Sequence, residues 1–241
     1  MSVLNEYGQP VGEPLPDWSP RPLPGAVTLR GDRCRLEPLN ADRHAADLYA
    51  AYSSGPDHRD WTYMAAGPFE DEAAYRRHAE AAAAGSDPRH YAVIDLGRER
   101  AVGTLSLMRQ TPVHGVVEVG NVMFSPLMKR SPISTEAQYL AMRYAFDDLG
   151  YRRYEWKCDS LNAPSRRTAE RLGFTFEGVF RQAVVYKGRN RDTAWYSVLD
   201  TQWPAVERAL RSWLAPENFD ADGVQRRTLA DVRAAAPAAQ A

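Results

Sequence analysis

The chain has 241 residues, 44% of them hydrophobic, and carries 30 basic against 31 acidic side chains. A chain of this length buries roughly 70% or more of its unfolded surface, enough for one large domain with a full core. The balanced charge excludes a global field that would hold nucleic acid or an acidic membrane, and the five histidines lack ligand spacing, which excludes a zinc site.

Residues 1–25 contain six prolines and little apolar periodicity. They read as an extended arm, either disordered or wrapped on the domain through Leu15, Trp18 and Leu23. The first ten residues are polar, and no stretch approaches the ~20 apolar residues of a membrane span, so a cytoplasmic protein is expected. Val27 to Leu39 alternates as one or two strands. Asn40 caps a predicted helix running to about Ser53, with Ala45, Leu48, Tyr49 and Tyr52 on one face. A loop rich in aromatics, Asp57 to Phe69, leads to an alanine-rich helix from Glu70 to Ala84, stopped by Gly85. Three strands follow, His90–Asp95, Ala101–Met108 and Val116–Phe124, the last ended by Ser125-Pro126.

The spacing of Ala137, Leu140, Ala141 and Tyr144 predicts a helix over Ser134–Leu149. Arg153–Asp159 reads as a strand, with Tyr154, Trp156 and Cys158 on one side. Asn162 caps a short helix closed by Gly173. Phe176–Tyr186 and Asp192–Leu199 form a hairpin around residues 187–191, and Pro204–Leu214 is a last helix. One domain is expected over residues 26–215, followed by an extension over 216–241 whose alanine-rich end, from about Ala234, frays. Cys34 and Cys158 fit free thiols of a reducing compartment. The antiparallel run in mid-chain argues against a doubly wound dinucleotide fold, and neither Gly-x-Gly-x-x-Gly nor a P-loop is present.

Four stretches carry a family likeness. They are Glu118-Val-Gly-Asn-Val-Met-Phe-Ser-Pro, Ser134-Thr-Glu-Ala, Asn162-Ala-Pro-Ser-Arg-Arg-Thr-Ala-Glu-Arg-Leu-Gly-Phe and Glu177-Gly-Val-Phe-Arg-Gln. In this order they resemble the GNAT superfamily of acyl-CoA-dependent N-acyltransferases, and within it the branch related to ribosomal-protein N-terminal acetyltransferases. The resemblance implies an α/β (α+β) fold: a mixed, mostly antiparallel sheet of about six to seven strands, splayed in the middle and flanked by helices. It implies acetyl-CoA or another acyl-CoA as co-substrate, no metal, and a small-molecule amine or a protein N-terminus as acceptor. Homodimers are common in this branch.

Residue by residue, the resemblance places the pantetheine arm on the backbone of Val122, Met123 and Phe124. The phosphates fall on the loop Lys129, Arg130, Ser131, Ser134 and Thr135, at a helix N-terminus that favours anions. Taken alone, Ser134 and Thr135 are equally readable as helix caps. Pro132 stands where the family has glycine and has no N–H to donate, so Lys129, Arg130 and the hydroxyls of Ser131 and Ser134 must compensate. Asn162, Ser165 and Arg166 are placed near the thioester and its phosphates. Asn162 is also a favoured helix cap, and Ser165 is the nearest hydroxyl to a departing thiolate, because Ala169 replaces the tyrosine common in the family. Glu118 takes the place of the glutamate that removes the acceptor's proton, or is a plain strand carboxylate. Trp61, Tyr63 and Met64 either clamp the acceptor or belong to the core. A rival reading is a catalytically silent CoA-binding or protein-interaction member, for which Pro132, Ala169 and Val184 speak.

Overall fold

The computed structural model describes residues 3–235. Its main sheet has eight strands: β3 (Leu29–Arg30), β4 (Cys34–Pro38), β5 (Arg89–Asp95), β6 (Arg100–Thr111), β7 (Val116–Phe124), β8 (Arg153–Asp159), β9 (Thr175–Tyr186) and β10 (Arg189–Leu199). A separate two-stranded ribbon joins β1 (Val3–Leu4) to β2 (Pro10–Val11). The order in the main sheet is β3-β4-β5-β6-β7-β8-β10-β9, and β7–β8 is its parallel pair. The sheet is thus mixed and mostly antiparallel, a little wider than expected.

The extra strand arises at Gly31, where the chain folds back from β3 into β4. A Cβ at Gly31 would sit 2.8 Å from the carboxyl group of Glu136. That buried carboxylate accepts N–H bonds from Asp32, Arg33 and Cys34, so it pins the turn and leaves no room for a side chain. Burial pushes the Cys34 thiol well up, and both cysteines are free.

Six helices flank the sheet: α1 (Ala41–Ser53), α2 (Glu72–Ala84), α3 (Pro132–Arg143), α4 (Ala163–Leu172), α5 (Trp203–Leu214) and α6 (Leu229–Ala235). Asn40 and Asp71 cap α1 and α2 by accepting from Arg43 N–H and Ala74 N–H. These two helices cover one face of β4–β6 and enclose the smaller core, around Leu48, Tyr52, Trp61, Tyr75 and Ile94. The larger core, with Leu105, Val119, Leu140, Tyr154 and Tyr196, lies under α3, α4 and α5 on the other face. Helix α3 starts at Pro132, two residues before the expected Ser134. Proline's fixed φ and missing N–H suit the first helical position. The helix continues as a π-helical turn over Tyr144–Asp148.

The hairpin between β9 and β10 turns on Lys187 and Gly188 alone, at φ 48° and 70°. Two left-handed residues match the twist of a two-residue hairpin, so residues 189–191 join the strand instead of the loop. The proline-rich arm packs through Trp18 rather than Leu15 or Leu23, which stay exposed. Its indole N–H donates to Val113 O at 2.9 Å, and Arg21 lies over the ring. The segment after α5 also packs: Leu229 and Val232 enter the main core, and Asn218 donates to Trp213 O and Arg227 O. The fraying expected from about Ala234 falls mostly on residues 236–241, outside those described. Among the described residues no helix is long and apolar enough to cross a membrane.

Candidate functional site: a cleft where two parallel strands part

β7 and β8 pair only from Val116↔Arg153 to Val119↔Trp156. Beyond Val119 they separate. The cause lies in β7, where Asn121 takes a left-handed φ of 49° and the register against β6 shifts between Gly120 and Met123. The bulge reverses the alternation of side chains. Val117 and Val119 face the larger core, and so do Val122 and Phe124, while Met123 faces the smaller one. Ser125 N–H bonds to Val102 O, so by alternation Met123 is held to β6. Met123 O also accepts from Tyr52 OH at 3.2 Å. The backbone groups of Val122 and Phe124 are left facing the gap.

The gap opens into a cavity of about 1110 Å³. Val122, Met123, Phe124, Lys129, Arg130, Ser131, Ser134, Asn162 and Ser165 line it, as do Tyr63 and Met64. The fold therefore brings most of the expected residues to one place. Four stand apart from it. Trp61 is core, edge-on to Tyr52 and Phe69 with both ring centroids at 5.4 Å. Thr135 is buried beneath the loop and accepts from both terminal nitrogens of Arg171, at 3.0 and 3.1 Å. Arg166 turns to β10, donating to Tyr196 OH and Ser160 O. Glu118 is 5% exposed and does not line the cavity.

Glu118 belongs to a buried charge cluster. Lys157 Nζ lies 2.8 Å from Glu118 Oε2 and 2.7 Å from Glu155 Oε2, and 3.7 Å above the centre of the Trp195 ring. Arg153 holds the other oxygen of Glu155 at 2.7 Å and reaches Glu177 at 2.5 Å. Burial pushes the Glu118 carboxyl above its ordinary pKa, against the pull of Lys157. Burial also pushes Glu155 up, but the bonds from Lys157 and Arg153 outweigh it and leave its pKa below the ordinary value.

At the start of α4, Asn162 Oδ1 accepts from Ser165 N–H, so the cap reading of Asn162 holds while its side chain stays on the cavity wall. Trp156 Nε1–H donates to Ser165 Oγ at 3.0 Å. A hydroxyl that accepts from the indole still has its own proton to donate, and the Cys158 sulfur is one acceptor beside it. Burial raises the Cys158 thiol, which is the wrong direction for a nucleophile.

The loop before α3 is less open to an anion than its sequence implies. Ser131 Oγ donates to Met128 O and Ser134 Oγ to Ser131 O, both at 2.7 Å. The amides of Ser131 and Ser134 bond to the same two carbonyls. Lys129 Nζ lies 2.5 Å from Asp60 Oδ1, across the cavity mouth. Two sets of lining residues escaped the sequence reading. Thr168 and Arg171 continue the face of α4 begun by Ser165, at i, i+3 spacing, a signal available in the sequence. Trp213 comes from the last expected helix and Phe219, Val224 and Gln225 from beyond the expected domain, and no local pattern marks them as lining residues.

Residues 33–175, more than half of the chain, match the family described as Acetyltransferase (GNAT) domain. A GCN5-related N-acetyltransferase from Brucella melitensis is 49% identical, with a TM-score of 0.90 over 91% of this chain and 100% of that one. A "probable acetyltransferase" of the GNAT family from Chromobacterium violaceum is 40% identical, with a TM-score of 0.75 over 81% and 98%. The Bacillus subtilis (strain 168) protein named "Putative ribosomal N-acetyltransferase YdaF" is 29% identical over 101 residues, which is 42% of this chain. That match spans 55% of the Bacillus protein's length. With more than half its length inside the family match, the chain belongs to the GNAT acetyltransferase family.

Proposed function

We propose that this protein is an acyl-CoA-dependent N-acetyltransferase that acylates a primary amine by direct attack in a ternary complex. The observation that carries this reading is the parting of β7 from β8 beyond Val119, directly beside the N-terminus of α3. The donor set suits acyl-CoA. Unpaired backbone on Val122 and Phe124 offers an added strand's worth of bonds to the pantetheine amides, and a helix N-terminus with nearby cations suits phosphates. When bound, the acyl thioester supplies an activated carbonyl.

The remaining work falls to the chain's own side chains. Ser165, oriented by Trp156, donates its hydroxyl proton toward the sulfur that departs. The backbone N–H groups of Val122 and Phe124 are the donors nearest a developing oxyanion. Glu118 is assigned to the buried charge cluster, because its carboxylate is bonded to an ammonium at 2.8 Å and does not line the cavity, although burial raises its pKa. Proton removal is then left to solvent. That favours acceptors with an appreciable neutral fraction near pH 7, such as a peptide α-amino group of pKa about 7.7–8.0, over a lysine of pKa about 10.4. The name of the Bacillus relative, which refers to ribosomal N-acetylation, agrees with a protein N-terminus as acceptor. Tyr63, whose hydroxyl donates to Leu161 O at 3.2 Å, and Met64 form the wall that such an end would meet.

The test is thiol release from acetyl-CoA and longer acyl-CoAs against a panel of peptide N-termini and small amines. Turnover with at least one pairing is expected, with α-amines ahead of ε-amines. The Lys129–Asp60 pair and the absence of a tyrosine at Ala169 favour one second reading, a silent member of the fold. Calorimetric binding of CoA without thiol release from any pairing would select it.

A further inference from the structure

We infer that Arg171 is a phosphate-binding cation of this cleft, replacing the amide that Pro132 lacks, and that the segment from Trp213 to Gln225 is part of the same subsite. This rests on the acyl-CoA reading above. Most of the expected donors are already engaged. Lys129 is paired with Asp60, and the hydroxyls of Ser131 and Ser134 donate to carbonyls of their own loop. Pro132 opens α3 with no N–H. Among the described residues of the loop, Arg130 is left as the unengaged cation on the cavity wall, so a diphosphate at this helix end finds one charged donor there and needs a second from elsewhere.

Arg171 supplies it from α4. It lies two helical steps of i, i+3 beyond Ser165, about 9 Å along the axis, on the face that lines the cavity. Both its terminal nitrogens reach Thr135 Oγ1, in the first turn of α3, so the guanidinium sits at the anion-favouring end of that helix. Trp213 backs it, with the ring centre 4.9 Å from its central carbon. No carboxylate of the described residues pairs with it. Burial and the neighbouring charge of Arg233 both work against its ionised state. A partly buried cation held by a hydroxyl and a ring, without a counter-ion, leaves charge-assisted bonds unmade. Phe219 and Gln225 pack on Trp213 and line the cavity with Val224; none of the three is acidic, and the nearby Asp220 carboxylate is engaged by the N–H of Val224. The ligand chemistry that satisfies this arrangement is the diphosphate of a nucleotide thiol.

The experiment is calorimetric titration of the full chain with CoA and with its 3′-dephospho form. Arg171→Met is expected to weaken both ligands by about tenfold, equally, because the diphosphate is common to them. Val224→Glu, at an exposed position on the same wall, is expected to weaken both about threefold through repulsion, while Val224→Gln does not. This second pair stands even if Arg171→Met fails to fold. Variants that bind like the wild type would overturn the inference and leave the acyl-CoA reading intact. So would a loss confined to CoA, because the contact would then belong to the 3′-phosphate. A wild-type chain that binds neither ligand would overturn the acyl-CoA reading itself.

Discussion

Two groups of charged side chains lie in and beside the cleft, and they differ in completeness. Around Lys157 every charge has an opposite partner: two carboxylates meet the ammonium, and arginines meet the carboxylates in turn. Around Arg171 there is a hydroxyl, a ring and a second arginine, but no carboxylate of the described residues. Both arginine- and lysine-bearing elements border the same gap. The closed group holds β7 to β8 just before they part, whereas the open group faces the cavity. A satisfied buried network specifies structure, and an unsatisfied one at a cavity wall is suited to an incoming charge. This is why Glu118, the acid that the sequence pattern singles out, is the weaker candidate for chemistry.

Breaking the closed group should be the most damaging change. Lys157→Met leaves Glu118 and Glu155 facing each other with their shared cation gone, and a cost of about 3–5 kcal/mol is expected from the urea midpoint. A cost below about 1 kcal/mol would mean that water already reaches the cluster. Ser165→Ala comes next. Its turnover should fall on the order of 10²-fold with CoA affinity nearly unchanged, measured by steady-state kinetics beside calorimetry. Equal turnover would remove the hydroxyl from the reaction.

Glu118→Gln sharpens the contrast through pH. The Glu118 pKa is raised in the fold, so its contribution to stability is full below the unfolded value and lost as pH rises through the folded one. Glu155 and Glu177 are lowered, so theirs is present above the unfolded value and lost on acidification. In the wild type the two trends oppose each other. In Glu118→Gln only the second survives, and stability should rise more steeply with pH across the carboxylate range. The acid limb of its kcat/KM profile should stay where it is. Movement of that limb would return Glu118 to the role of base.

The sequence made the scaffold of this site readable and left its closure hidden. Strand limits at Val116–Phe124 and Arg153–Asp159 follow from local apolar runs and turn residues, and the caps Asn40 and Asn162 follow from side chains that bond three residues ahead. The family words placed the gap and the loop. Whether a lysine or a serine there is free cannot be read locally. Asp60 meets Lys129 from 69 positions away in the chain, and Trp213 meets Arg171 from 42. Glu118 looks like a plain strand carboxylate or a base until Lys157, on the neighbouring strand, is placed against it. The bulge at Asn121 likewise decides which of Val122, Met123 and Phe124 presents its backbone, and strand periodicity alone assigns the wrong parity after it.

Between the closed and the open group lies the pair Lys129–Asp60, and it offers the smallest and most selective test. Both partners are partly exposed, at 40% and 31%, so the bond contributes little to stability. Its effect should instead be on the ligand. Asp60 holds the one lysine of the loop and places a negative charge at the cavity mouth, opposing the field of Arg130 and Arg171. Asp60→Asn keeps the shape, releases the ammonium and removes the repulsion. CoA should then bind about threefold tighter at low ionic strength, and the gain should shrink as added salt screens exposed charges. A gain that persists in high salt would point to a change of loop conformation rather than of charge. No gain at all would mean that Lys129 does not face the ligand, and the burden of phosphate binding would rest on Arg171 more heavily still.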